Sequence, residues 1–197
     1  MSVKTLHTLL KINIMVLKNG HQLSINFIND NLIDISNLLP KLVKNNDRIA
    51  FIGYSVCLDD NTIDVISSNF PNSYNGVVFP AVKAGVDWDM FKSKVNNGTD
   101  EPVSQMGLHF DTEVSDKITD EFWAVKSTTP SAWVVDCKSF VKAHRAKKGE
   151  GVKVSVNLNE IFTKIKFCAY VKAKVVLTYT HECLGNILEC AGVSRAE

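Results

Sequence analysis

The stretch GVKVSVNLNEIFTKIKFCAYVKAKVVLTYT, residues 151–180, carries a regular alternation of apolar and polar residues. Every second residue is apolar from Val152 to Leu158, and again from Ile165 to Tyr179 after a short polar patch. Because successive side chains of a strand point to opposite faces, the pattern predicts two half-buried strands. The longer run is expected to bend or bulge near Ala173. Its lysines would form a cationic row on the exposed face, where they bind an anionic partner or only keep the sheet soluble.

The composition is that of a folded chain of 197 residues, which we expect to form a single domain, residues 1–197. No apolar run approaches the roughly 18 residues that a membrane-spanning helix needs, and the start of the chain does not resemble a signal peptide. The cysteines are odd in number and lack close pairs, which favours reduced thiols in the cytoplasm or the nucleus. They are Cys57, Cys137, Cys168, Cys183 and Cys190.

The net charge of +1 hides an uneven distribution. Residues 136–174 hold ten Lys/Arg and three Asp/Glu, whereas residues 101–135 hold two Lys/Arg and six Asp/Glu. Such a division suits an anionic partner, either phospholipid or RNA, or head-to-tail self-association into a homo-oligomer. It does not discriminate among them.

Hairpins are the main elements that the N-terminal half predicts. Asn19-Gly20 between apolar alternations predicts a hairpin from about Leu9 to Ile28, since Asn-Gly favours a type I′ turn. A buried strand over Arg48–Leu58 and a returning strand over Thr62–Ile66 predict a second hairpin.

Helices are predicted at several places between and after these hairpins. One covers Asn31–Asn45, either kinked at Pro40 or beginning only after Ser36. Others are a helix capped by Asp87, one that begins near Ser115, and a final helix over 182–191. Residues 130–148 predict either one long helix or a strand over 132–137 followed by a shorter helix. The predicted fold class is therefore α+β, an antiparallel twisted sheet of hairpins with several short helices packed on it.

Catalytic and metal-binding patterns are weak. His109 and Asp111 fall on the same side of an extended segment, but no nucleophile motif or glycine-rich phosphate loop accompanies them. The acidic turn at Asp59-Asp60 is more typical of a solvated turn than of a cation site, and no CxxC or HxxxH pair occurs. We therefore predict a protein without enzymatic activity, cofactor, metal or small-molecule substrate.

The basic segment is the strongest functional candidate. Near an anionic leaflet each such residue contributes roughly 1 kcal/mol, and RNA phosphates would use the same charges. Aromatic side chains for base stacking are sparse, with Phe167 predicted inward and only Tyr170 outward, which slightly favours membrane or protein partners. The predicted anion-binding residues are Lys138, Lys142, Arg145, Lys147, Lys148, Lys153, Lys166, Lys172 and Lys174, with Lys164 beside them.

The C-terminal third is similar to the closing portion of rhabdovirus matrix proteins. The similarity lies in a basic run, the alternating stretch IKFCAYVKAKVVLTYT over residues 165–180 and a short predicted helix, with the opening strands over 9–28 as a second point of likeness. The resemblance implies a viral structural protein that bridges the nucleocapsid and the anionic inner leaflet and self-associates. It would reside in the host cytoplasm, the virion and the inner membrane leaflet. The alternative is an RNA-binding viral accessory protein, such as a movement protein or a silencing suppressor.

Overall fold

The computed structural model describes residues 3–29, 31–54, 56–71, 73–82, 86–100, 103–145, 151–154, 159–173 and 176–177. These residues form helices and a mixed sheet, which confirms the predicted α+β class. In chain order the elements are α1 (Val3–Lys18), α2 (Leu32–Asn45), β1 (Arg48–Ile52), β2 (Val56–Cys57), α3 (Asp60–Ser67), β3 (Gly76–Val78), α4 (Trp88–Asn96), a 3₁₀ turn (Val103–Gln105), β4 (Thr112–Lys117), β5 (Phe122–Thr128), β6 (Ala132–Asp136), α5 (Cys137–Ala143), α6 (Asn159–Lys164), β7 (Phe167–Tyr170) and β8 (Val176–Leu177).

Six strands form the central sheet in the order β1-β6-β3-β7-β5-β4, and β2 pairs with β8 in a separate two-stranded ladder. All neighbours in the central sheet are antiparallel except β3 and β7, which run parallel. The predicted sheet was antiparallel throughout and built from hairpins, so this part of the prediction is wrong. Only β4 and β5 are joined as a hairpin among the described strands.

Helices cover both faces of the sheet. On one face, α1, α3 and β2 pack against Val77, Val134 and Cys168. On the other face, α2, α5 and α6 pack against Val78 and Val135. Because Val77 and Val78 are neighbours in β3, their side chains enter opposite layers, so α1 and α5 lie on opposite sides of the sheet.

The predicted hairpin over Leu9–Ile28 is wrong, because residues 3–18 form α1. Asn19-Gly20 ends this helix instead of turning a hairpin. Gly20 has φ +71° and its N–H donates to the Leu17 carbonyl, while the His21 N–H donates to the Val16 carbonyl at 3.0 Å. This pair of bonds is a Schellman motif, which uses the same left-handed glycine that a type I′ turn would need.

The predicted strand over Thr62–Ile66 is also wrong, because these residues belong to α3. Asp59 caps the helix, and its carboxylate accepts a hydrogen bond from the Thr62 N–H at 3.0 Å. The buried residues Ile63 and Ile66 are three apart, which is the helical spacing. The predicted turn was therefore the beginning of a helix.

The helix predicted from Ser115 is replaced by the β4–β5 hairpin. Phe122 and Val125 are three residues apart in sequence, a spacing that also fits one face of a helix. In β5 they point to opposite faces, with Phe122 against the α1 layer and Val125 against the α5 layer.

Where it is described, the long alternating stretch forms only short strands. Its first half, after the isolated bridge at Val152, leads into α6, and β7 covers only Phe167–Tyr170. Cys168 and Tyr170, predicted on the exposed face, are buried, because β7 is an inner strand covered on both sides. Residues 155–158, 174–175 and 178–180 lie outside the described residues.

Other predictions are confirmed. α2 begins at Leu32 and continues through Pro40. Asp87 caps α4 as predicted, and the helix ends at Asn96, followed by Asn97 and by Gly98 with φ +62°. Of the two interpretations of residues 130–148, the strand followed by a short helix is correct. The helix predicted over 182–191 lies outside the described residues.

Candidate interaction surfaces

The predicted basic strip does not form along one strand face. Lys166 precedes β7 and Lys172 follows it, so they lie at opposite ends of the strand. Two of the lysines are engaged by carboxylates: Lys172 Nζ lies 3.0 Å from Glu121 Oε1, and Lys164 Nζ lies 2.8 Å from Glu160 Oε2. Lys147, Lys148 and Lys174 lie outside the described residues.

Five of the predicted cations remain as a group near α5, which we call the α5 basic group: Lys138, Lys142, Arg145, Lys153 and Lys166. Lys138 and Lys142 are one helical turn apart on α5 and both are exposed. Just beyond the helix, the Lys153 N–H donates to the His144 carbonyl at 3.0 Å, and this contact brings Lys153 beside Arg145. Within the described part of the chain, no carboxylate is within ion-pair distance of these five side chains.

Lys166 joins this group through backbone contacts at one end of the inner strands β6, β3 and β7. The Asp136 N–H donates to the Asn75 carbonyl, and the Asn75 N–H donates to the Lys166 carbonyl, both at 2.9 Å. Since α5 begins directly after Asp136, Lys166 and the start of α5 lie at the same end of the sheet strands. Lys166 Nζ lies 4.4 Å from the centre of the Tyr74 ring, a cation–π contact that the sequence did not predict.

Arg48, which lies at the same end of the sheet opposite Asp136, has a structural role. Its Nη1 donates to the carbonyls of Ile66 and Ser68 at 2.6 and 2.9 Å, and its guanidinium lies over the Phe70 ring. Burial lowers the pKa of Arg48, and the nearby Asp136 carboxylate acts in the opposite direction. Arg48 therefore ties the loop after α3 to the sheet.

The inner side of α1 is part of the core. Ile12, Met15 and Val16 are buried against the sheet layer. Thr8, which is fully buried, accepts a hydrogen bond from the Leu58 N–H at 3.2 Å, and Thr5 donates to the Val56 carbonyl at 3.5 Å. These contacts fix the rotation of the helix about its own axis.

The outer side of α1 is also apolar. Leu6, Leu10, Ile14 and Leu17 are 42%, 53%, 54% and 63% exposed, and we call these four side chains the outer stripe. Spacings of four, four and three residues place them within an arc of roughly 80° at 100° per residue. Large apolar side chains continue after the helix in the exposed segment 21–29, where Phe27 is 72% exposed. Contiguous apolar surface of this kind marks an interaction site more often than does a single exposed leucine.

The charges of α1 are all positive. The helix contains Lys4, Lys11 and Lys18 and no acidic residue. Lys11 Nζ lies 2.6 Å from Asp60 Oδ1, and this hydrogen bond lowers the pKa of Asp60. Lys18 is exposed at the end of the helix, beside Leu17.

Sequence reasoning missed the outer stripe because α1 is apolar on two sides. Leu10, Ile12, Ile14 and Val16 alternate as in a strand, although they divide between the two faces of a helix. The continuous run without Gly or Pro from Val3 to Lys18 favoured the helix, as did the 3–4 spacing of Thr5, Thr8 and Ile12.

The candidate acid–base pair is divided between two environments. His109 Nε2 lies 3.0 Å from Asp87 Oδ2 on the surface. Asp111 is buried, and its carboxylate accepts hydrogen bonds from the Ala81 and Ser131 N–H groups and from the Thr112 hydroxyl. Asp111 therefore joins three loops at one end of the sheet.

Metal-binding clusters are not found among the described residues: no group of three or more His, Cys, Asp or Glu side chains converges there. Burial raises the pKa of both Cys137 and Cys168 to about 12, so these thiols are unreactive near neutral pH. In the described ranges, no helix has the length and hydropathy to cross a bilayer. Three more residues with metal-ligating side chains, His181, Cys183 and Cys190, lie outside the described residues.

Comparisons with known proteins found no matching family model, no matching curated protein and no matching solved structure.

Proposed function

We propose that this protein is a non-enzymatic structural protein that binds an anionic membrane surface through α1 and a polyanion, RNA or a nucleocapsid, through the α5 basic group. This is the bridging role that the resemblance to rhabdovirus matrix proteins implies, and it includes self-association. The observation that carries the proposal is the outer stripe of α1, an exposed apolar face on a helix whose only charges are positive.

The outer stripe suits a helix that lies in the plane of a membrane interface. Such helices bury an apolar face at the boundary of headgroups and acyl chains, and their cations attract anionic lipids. Burying a fully exposed leucine yields about 3 kcal/mol at most, so the four partly exposed side chains could contribute about 6 kcal/mol. That limit corresponds to a dissociation constant on the order of tens of micromolar, which describes reversible membrane binding.

The α5 basic group is assigned to the second partner because of its position. α1 and α5 lie on opposite faces of the sheet, so a flat membrane that contacts the outer stripe does not contact Lys138 or Lys142. The basic residues, for which the sequence left phospholipid, RNA and protein open as partners, are therefore assigned to the polyanion. The sheet separates the two surfaces, as a bridging protein requires.

A bridging assay tests both halves of the proposal. Anionic or neutral vesicles are sedimented with labelled single-stranded RNA, with or without the protein, across a salt series. RNA should sediment only with anionic vesicles and protein together. Leu10→Ser with Leu17→Ser should weaken vesicle binding 10- to 100-fold and leave RNA binding intact, whereas Lys138→Glu with Lys142→Glu should weaken RNA binding and leave vesicle binding intact.

Val103→Ser is the matched control, because Val103 is 66% exposed and lies outside α1. It should leave both activities unchanged. Equal binding to neutral and anionic vesicles, or vesicle binding that ignores the α1 variant, would contradict the membrane half of the proposal.

A second candidate function is RNA binding alone, as in a viral accessory protein. The observation that favours it is the α5 basic group, whose five side chains have no carboxylate at ion-pair distance in the described part of the chain. This alternative predicts RNA affinity that falls steeply with salt, together with no vesicle binding at any lipid composition.

A further inference from the structure

The central sheet has two edge strands, and they differ in how well they are protected from pairing with another chain. β4 is irregular in register between Glu113 and Val114 and again before Lys117, and five of its six residues are exposed. Bulges and exposed charges keep an edge strand from adding a further strand. The β4 edge is therefore poorly suited to pairing.

β1, at the opposite edge, has neither form of protection. It pairs with β6 in an unbroken register from Arg48 to Ile52, and the residues between them are apolar. The guanidinium of Arg48, the only charged group of β1, is turned onto the end of α3 and the loop after it. Among the described residues, β6 alone pairs with the backbone of β1. One side of β1 therefore offers backbone N–H and C=O groups to a further strand.

The burial of β1 also indicates that its edge is uncovered. Four of the five residues of β6 are buried, whereas none of the five residues of β1 is buried and Ala50 is exposed. Ile49 and Phe51 lie in the α5 layer and Ile52 lies in the α1 layer, each of them only partly covered. A further strand at this edge would bury the surface that remains.

The sequence of β1 is complementary to itself in the antiparallel orientation. Two copies of a five-residue strand overlap fully only when the central residue, Ala50, faces Ala50 of the second copy. Ile49 then faces Phe51, and pairs of β-branched and aromatic residues stabilise antiparallel sheets. Arg48 faces Ile52, so no like charges lie opposite each other. An interface in which both partners use the same patch is the commonest kind in homodimers.

We infer that two copies of this chain pair through β1, antiparallel and centred on Ala50, and so join their six-stranded sheets into one continuous sheet. The two-fold axis that relates antiparallel neighbouring strands is perpendicular to the sheet, so each face of the sheet stays on its own side. Both α1 helices then lie on one side of the dimer and both α5 basic groups on the other. The pairing follows from the β1 edge, whereas its effect on membrane binding rests on the proposed function.

The arrangement lets both outer stripes bind the same vesicle. Once one stripe is bound, the other meets the membrane at an effective concentration in the millimolar range, which raises the overall affinity without any new contact. We expect the dimer to bind anionic vesicles at least about 10-fold more tightly than the monomer.

Cysteine cross-linking tests the pairing in the full chain. Facing residues of antiparallel strands have Cα atoms about 4.5–5.5 Å apart, a distance that a disulfide can bridge. Ala50→Cys is introduced with Cys57, Cys183 and Cys190 replaced by Ser, and the protein is oxidised mildly over a range of concentrations, with and without anionic vesicles. Ser115→Cys in the same background is the matched control, because Ser115 is exposed on the β4 edge.

The inference predicts disulfide dimers of Ala50→Cys that form several-fold faster than those of Ser115→Cys. Equal rates at the two positions, or no dimer of either variant, would overturn it. A mixture of Ala50→Cys and Ile25→Cys that forms mixed dimers without dimers of Ala50→Cys alone would also overturn it. That result would identify the exposed segment 21–29 of a second copy as the pairing strand.

Vesicle binding of the trapped dimer separates the pairing from the membrane function. If both hold, the oxidised dimer binds anionic vesicles at least about 10-fold more tightly than the reduced protein diluted to the monomer. If the dimer forms but neither form binds vesicles, the pairing stands and the membrane function fails. If the reduced protein binds vesicles and no dimer forms, the pairing fails alone. A dimer that binds no more tightly than the monomer would overturn the placement of both α1 helices on one side.

Discussion

Removing leucines from the outer stripe should weaken membrane binding without unfolding the protein. Leu10 and Leu17 are 53% and 63% exposed, so more than half of the apolar surface that Leu10→Ser with Leu17→Ser removes is not buried by the fold. At about 3 kcal/mol for a fully buried leucine, the surface that remains to be buried is worth about 1.5 and 2 kcal/mol at the two positions. Because an interface buries side chains incompletely, we expect a 10- to 100-fold loss of vesicle affinity.

The assay is co-sedimentation with vesicles of graded anionic content, with urea unfolding of the same samples as the stability control. On the same scale, the parts of Leu10 and Leu17 that the fold already buries are worth about 1.4 and 1.1 kcal/mol, so the free energy of unfolding should fall by at most about 2.5 kcal/mol. Vesicle affinity within twofold of the parent protein, measured on folded samples, would refute the assignment of the outer stripe. A parallel loss with Val103→Ser would show that the effect is not specific to α1.

Three further predictions concern the fold. Gly76→Ala should lower the urea midpoint by the equivalent of about 1–3 kcal/mol, because a Cβ there would overlap the buried Phe167 ring; an unchanged midpoint contradicts the packing. Asp111→Asn should cost about 1–3 kcal/mol in the same assay, because the amide has one acceptor oxygen where the carboxylate has two; a neutral result contradicts the three-loop junction. His144 is buried and has no hydrogen-bond partner among the described residues, and burial, followed by the charge of Lys164, lowers its pKa. As the pH falls below about 6.5, His144 is therefore protonated in the unfolded chain before it is protonated in the folded protein, and the folded state loses stability. Between pH 7.5 and 5.5 the free energy of unfolding of the parent protein should fall by up to about 1.4 kcal/mol per pH unit more than that of His144→Leu. The same dependence of unfolding free energy on pH in both proteins would contradict this.

The elements that sequence reasoning found are those with local chemistry. Asp87 caps α4 and Gly98 ends it, and both signals act within one helical turn of the residues they control. The apolar spacing of α2 likewise fits a single helical face that packs on one layer. In such cases the local pattern and the tertiary environment agree.

The errors arise where residues face two environments. The alternation within 3–18 comes from a helix that is buried on one side and apolar on the other. Cys168 and Tyr170 looked exposed because they alternate with the apolar residues Phe167, Ala169 and Val171, yet β7 lies between two helical layers. Whether an alternating run is covered on one side or on both depends on strand order, which the sequence does not encode locally.

The candidate site was only partly predictable for the same reason. Charge counting identified the segment that contains the α5 basic group. It could not show that Lys172 pairs with Glu121, or that Lys166 and Lys172 lie at opposite ends of a strand. The outer stripe could be recognised only once residues 3–18 were assigned to a helix.

Depth-dependent quenching of a tryptophan placed in the outer stripe tests the central claim most directly. Leu17→Trp is mixed with anionic vesicles that contain brominated acyl chains, and its emission is compared with that of the parent protein and of Val103→Trp. The account predicts additional quenching for Leu17→Trp alone, since only that side chain enters the acyl region. Equal quenching of the two variants, or no quenching beyond that of the parent protein, would contradict membrane binding through α1.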